Sequence, residues 1–192
     1  MNKLLSDALS LALLRVKPLS HYVYPFWLPM VWLTLIAAMM SPGLPLLNAS
    51  LPAKFLVVAI VQWVEVLVLT FVMSWWLKLG NRWNGDGSLF PLIVVASTVQ
   101  LLGIAVSALD LVPLALIAAI YRLVVLVHAI AGATGVRKSY VVGGILVFLP
   151  VAVVVTLILA QIAVGTGMIE LDPAMFGPAD LPGNDAPAPN KA

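Results

Sequence analysis

Apolar residues run along the chain in five long stretches separated by short polar ones. A helix needs about 20 mainly apolar residues to cross a hydrocarbon core of about 30 Å. Residues 23–42, 54–77, 89–109, 111–131 and 140–163 each meet that length. None carries the short alternating pattern of a barrel strand. The pattern therefore predicts an all-α, polytopic membrane protein with five transmembrane helices in one membrane domain, 23–163. Only Asp110 separates the third and fourth stretches, which implies a tight antiparallel hairpin. Pro91 and Pro113 fall in first turns, where a missing N–H costs nothing. Pro29 and Pro150 fall deeper and are expected to kink their helices.

The two ends of the chain read differently. In residues 1–17, Leu4, Leu5, Ala8, Leu9, Ala12 and Leu13 recur at helical spacing, and Lys3, Ser6, Asp7, Ser10 and Lys17 fall largely on the other side. This predicts an amphipathic helix lying in the membrane interface, stopped by Pro18. A signal peptide fits less well, because Arg15 and Lys17 follow the apolar run directly and no small-residue cleavage site comes next. Residues 170–192 hold Pro, Gly, Asn and Asp with few large apolar side chains, which predicts a disordered acidic tail.

Composition strengthens the membrane reading. Hydrophobic residues make up 62% of the 192 and charged residues 9%, with a mean hydropathy of +1.10. A soluble domain carries about 25% charged residues, so a water-soluble globule, a disordered chain and a disulfide scaffold are all excluded. There is no cysteine, and hence no thiolate metal site or cysteine nucleophile. The net charge of +2 comes from scattered basic residues, which gives no case for nucleic acid. Their distribution sets an orientation. Lys and Arg favour cytoplasmic loops. With the N-terminus inside, Lys3, Arg15, Lys17, Lys78, Arg82, Arg137 and Lys138 lie inside, against Lys54 and Lys191 outside. The C-terminus then lies outside. Trp75, Trp76, Trp83, Tyr22 and Tyr24 mark the inner interface. Asn48-Ala49-Ser50 has the form of a glycosylation acceptor and reads better as chance.

Two charges remain inside the membrane. Glu65 lies in the second span and Arg122 in the fourth, each 11 residues from its outer end. A charge at the bilayer centre costs about 2.5–3.5 kcal/mol on insertion scales, so an ion pair at this matching depth lowers both costs. Gln62 shares the face of Glu65 at i−3, and Gln100 is also 11 residues into its span. Arg122 lies on a stripe of Ala115, Ala118, Ala119, Ala129 and Ala133. Gln100 lies among Ala96, Ser97, Gly103 and Ser107. Small residues mark close helix contact, so both polar groups are expected to face the bundle interior. Glu65, Arg122, Gln62 and Gln100 form the candidate site, either as a structural tie between helices or as the lining of a path for an ion, a proton or a lipid headgroup.

Other polar groups carry less. His128 suits a helix C-terminus by charge, and His21 lies at the interface. Asp86 with Asn81 and Asn84 lacks calcium-loop spacing. No catalytic constellation and no transition-metal set is present, so neither an enzyme nor a cofactor is expected. A membrane enzyme acting on lipids is the least supported class.

The layout resembles the Yip family, the Ypt/Rab-interacting five-span membrane proteins, in its bacterial branch. The resemblance covers most of the chain. It lies in the N-terminal amphipathic helix, five spans with the N-terminus inside, and a Gly-rich inner loop leading into Ser88-Leu-Phe-Pro91. It lies also in Tyr121…His128 followed by Gly135-Val-Arg-Lys-Ser-Tyr140. The Asp-Leu-Tyr-Gly-Pro segment of eukaryotic members is missing, so their GTPase-binding role does not carry over, and no functional residue is transferred. The resemblance implies a bacterial inner-membrane protein. The expected function is a non-enzymatic scaffold or membrane-organising protein, with membrane lipids, other membrane proteins or further copies of itself as partners. The alternative is a small transporter or transporter subunit using the midplane site.

Overall fold

The computed structural model describes residues 2–43, 47–48, 50–81, 83, 85–107, 112–168 and 170–171. It is all-α but for one two-residue antiparallel pairing. Helix α1 spans Asn2–Ala12, α2 Trp27–Met40, α3 Leu51–Leu79, α4 Leu89–Ser97, α5 Gln100–Ser107, α6 Val112–Thr134 and α7 Lys138–Gly165. The pairing joins β1 (Leu47–Asn48) to β2 (Glu170–Leu171), with Leu47 opposite Leu171. Among the described residues four stretches are long and apolar enough to cross a membrane: Leu51–Leu79, Leu89–Val106, Leu116–Thr134 and Lys138–Gly165. The core runs between α2, α3, α4 and α6, around Leu33, Met73, Leu92, Ile93 and Ile130.

The helix boundaries follow local chemistry. Ser88 caps α4 by accepting from the Phe90 amide at 3.3 Å, with Pro91 in the first turn. Pro113 is the second residue of α6. Gly135, at φ +72°, ends α6 in the left-handed region that glycine enters without strain. Helix α7 continues through Pro150, which is exposed.

Three expectations are corrected. The helix expected as the first span begins at Trp27, not at residue 23, so Pro29 lies in the first turn of α2 and is not a mid-helix kink. Its 14 residues reach only about 21 Å at 1.5 Å per residue. The third span is not one helix. It breaks at Thr98–Val99, where the bonds tighten to an i−3 pattern: Thr98 to Val95 and Val99 to Ala96 at 3.2 Å, Leu101 to Thr98 at 3.0 Å. At the break, Trp32 Nε1 donates to Thr98 Oγ1 at 2.9 Å, and the Ser97 hydroxyl bonds back to the Ile93 carbonyl at 2.9 Å. Such back-bonding by Ser and Thr bends helices.

The third correction concerns α1. It stops at Ala12, well before Pro18. Leu14 adopts φ +58°, its amide bonds to Leu11 O at 2.9 Å, and the Arg15 amide bonds to Ser10 O at 2.8 Å. This is a Schellman stop with Leu where Gly is usual. Asp7 does not lie on the exposed polar side. It is 1% exposed on the face of Leu4, Ala8 and Leu11, while Leu5, Leu9 and Leu13 are exposed. That buried face packs on α4 and α6.

The expected hairpin at Asp110 and the expected tail beyond Leu171 lie outside the described residues. Glu170 and Leu171, the first two positions of that tail, are the ones that pair with β1.

Candidate functional site

Glu65 is the central residue of the 29-residue helix α3, and Arg122 is one residue short of the centre of the 23-residue helix α6. Arg122 Nη2 donates to Glu65 Oε1 at 2.8 Å. Their side chains are each about a third exposed, at 34% and 31%. The break at Thr98–Val99 makes Gln100 the first residue of α5. Gln100 and Gln62 are both buried. With the Gln100 amide assigned so that every donor meets an acceptor, its oxygen accepts from Arg122 Nε at 3.0 Å and from Nη1 at 2.9 Å. Its nitrogen then donates to Gln62 Oε1 at 3.2 Å. All four residues singled out by sequence thus meet in one chain of contacts, Glu65–Arg122–Gln100–Gln62, linking α3, α5 and α6. Among the described residues no buried side-chain nitrogen or oxygen is without a partner.

The far side of Glu65 faces α7 across a crevice of about 10 Å³ lined also by Phe148, Ala152 and Thr156. That is the lower limit for one water molecule. Chemically, the arrangement is a neutralised pair with two amides completing its hydrogen bonds. The small-residue expectation holds at Ala96, Ser97 and Ala129, which are buried, and fails at Gly103 and Ala119. Gly103 has no atom within 4 Å of where a Cβ would stand. Close glycine contacts lie elsewhere, at Gly132 against Val16 and at Gly144. A Cβ on Gly144 of α7 would stand 2.7 Å from Trp76 Cδ1 and 2.9 Å from Met73 Sδ of α3.

A second polar cluster joins α1 to the segment that follows it. Asp7 Oδ1 accepts from Lys17 Nζ at 2.8 Å and meets His21 Nε2 at 3.1 Å, while Asp7 Oδ2 accepts from the Tyr24 hydroxyl at 2.5 Å. Burial works to raise the Asp7 carboxyl. Hydrogen bonds from Lys17, Tyr24 and His21, with the nearby His21 charge, outweigh it and hold the group below the ordinary carboxylate range. Burial and then the bond to Asp7 push the Tyr24 phenol well above its usual value. Lys3 Nζ donates to the carbonyls of His21 at 2.9 Å and Val23 at 3.5 Å and lies 5.0 Å from the centre of the Tyr24 ring. Helix periodicity did not reveal this cluster, because three partners of Asp7 lie in a non-periodic segment. The sequence signal was the density of Lys, His and Tyr in residues 17–24. One further bond ties α1 inward: the Tyr121 hydroxyl donates to the Ala12 carbonyl.

Among the described residues no group of three or more metal-ligating side chains converges. The chain matches no protein-family model, no curated protein and no solved structure. The long apolar helices define the class, an integral membrane protein of packed helices.

Proposed function

We propose that the chain is a non-enzymatic membrane scaffold that spans a bacterial inner membrane five times, with its N-terminus inside and α1 in the interface, in keeping with the Yip-like layout. The observation that carries this reading is the closed contact chain Glu65–Arg122–Gln100–Gln62, beside a crevice too small for more than one water. Its four members bond to one another in series and tie three helices together. The first of the five spans is then α2. It is short, but it packs within the bundle through Trp32 on Thr98 and through Thr34, whose hydroxyl accepts from Trp63 Nε1 at 3.2 Å. The exposed Leu5, Leu9 and Leu13 give α1 an apolar side for lipid.

The break in the third span favours a second reading, a small transporter. Interrupted helices near the midplane often line substrate sites, and Gln100 stands beside this one.

One experiment separates the two. The chain has no cysteine, so Ala118→Cys, one turn before Arg122 on α6, reports alone. In native membranes a membrane-impermeant maleimide leaves it unlabelled if the midplane is dry and labels it if water reaches the pair. Purification in native lipids with mass spectrometry then tests the scaffold role directly. A stable membrane-protein partner or homo-oligomer is expected, and a bare monomer overturns it.

A further inference from the structure

A cavity of about 460 Å³ lies where the segment after α1 meets α2, α3 and α4. That is the size of a small-molecule site, which runs about 300–1,000 Å³. Its walls are mostly apolar, with Val23, Phe26, Met30 and Leu67 among them, and Ser20 and Ser88 also line it. Ser88 caps the start of α4, whereas Leu67 stands twelve residues before the end of α3, roughly 18 Å along the helix. The cavity therefore runs from the level of the helix ends into the apolar zone. It opens sideways, since Val23 and Phe26 are each 72% exposed and Leu67 is 49% exposed. A cation stands next to that lining: Lys3 Nζ donates to the carbonyl of Val23, a lining residue, and to that of His21, and lies against the ring of Tyr24, which also lines the cavity. An ammonium carries three N–H donors, one more than these two carbonyls take.

We propose that this cavity holds one anionic phospholipid, with an acyl chain along Met30 and Leu67 and its phosphate at Lys3, Ser20 and Ser88. A lateral opening onto hydrocarbon, apolar walls deeper in and a cation at headgroup level are complementary to that molecule. The inference requires only that the chain is membrane-embedded, and it stands whether the protein is a scaffold or a transporter.

The test uses the full chain in nanodiscs of equal parts zwitterionic phosphatidylcholine and anionic phosphatidylglycerol, with retained lipid counted by native mass spectrometry after detergent release. The expected result is one retained lipid per chain, enriched in phosphatidylglycerol. Lys3→Glu lowers the enrichment about five-fold, while Lys138→Glu, at the start of α7, leaves it unchanged. Leu67→Trp and Val23→Trp, which fill the cavity, each abolish retention. Val23 lies outside any helix, so its variant keeps the test valid if the Leu67 variant misfolds. Equal loss of enrichment in Lys3→Glu and Lys138→Glu overturns the proposal, because it marks bulk surface attraction. Equal retention of both lipids overturns it too. So does a dimer that Val23→Trp dissociates, since a second copy is then the occupant.

Discussion

Trp76 and Tyr140 exchange two hydrogen bonds across the α3–α7 contact. Trp76 Nε1 donates to the Tyr140 carbonyl at 3.0 Å, and the Tyr140 hydroxyl donates to the Trp76 carbonyl at 2.8 Å. Their rings stack at 5.2 Å and 25°. The close approach depends on Gly144, one turn further along α7 from Tyr140, because a side chain there meets Trp76 and Met73 below 3 Å. Gly144→Ala is therefore expected to destabilise the folded protein by about 1–3 kcal/mol, the range for overpacking. Gly103→Ala, in open space, is expected to be neutral or mildly stabilising. Thermal unfolding in detergent, followed by tryptophan fluorescence, checks both. Equal effects of the two substitutions refute the assignment.

Arg122→Ala leaves Glu65 charged and unpaired at mid-helix, with an expected loss on the order of 2.5–3.5 kcal/mol, seen as a lower folded yield. Glu65→Gln with Arg122→Gln removes both charges and is expected to restore most of that yield. A double variant no better than Arg122→Ala alone contradicts the pairing.

The attachment of α1 to residues 17–24 is expected to weaken at both extremes of pH. The Asp7 carboxyl is depressed in the folded protein, so its contribution is present above the unfolded value of about 3.9 and is lost as pH falls through the folded value. The Tyr24 phenol is raised, so its contribution is present below about 10 and is lost as pH rises through the folded value. A fluorophore on Leu9→Cys, exposed on α1, reads the attachment. Tyr24→Phe is expected to weaken it by about 1.5 kcal/mol, the low end for a hydrogen bond to a charged group. It is also expected to move the acid limb to higher pH. An acid limb that does not move in this variant excludes Tyr24 as a partner of Asp7.

Topology is open to the same cysteine-free background. Ser50→Cys, just before α3, is expected to react with an impermeant maleimide in intact cells. Ser139→Cys, in the first turn of α7, is expected to react only after permeabilisation. The reverse result inverts the orientation, and equal exposure from outside removes the odd number of spans.

The Glu65–Arg122–Gln100–Gln62 group was legible in the sequence because position along a helix is countable at 1.5 Å per residue. Equal counts to Glu65 and Arg122 place them level, and Gln62 follows from i−3 spacing. The break at Thr98–Val99 was not legible. Neither Pro nor Gly stands there, and the bond that marks it comes from Trp32, 66 residues away. The burial of Asp7 was hidden for a related reason. Position 7 borders the Leu4–Ala8–Leu11 face, and only partners from beyond the helix end decide whether a carboxylate can be buried there. Among glycines, spacing alone could not separate Gly144, pressed against an indole, from Gly103 in open space.

Tyr121 and Arg122 are consecutive on α6, so their side chains leave the helix about 100° apart. One holds the Ala12 carbonyl of α1 and the other holds Glu65 of α3. Two anchors at one height and different bearings fix the azimuth of α6. The helix cannot roll about its own axis without releasing both the N-terminal segment and the Glu65 carboxylate.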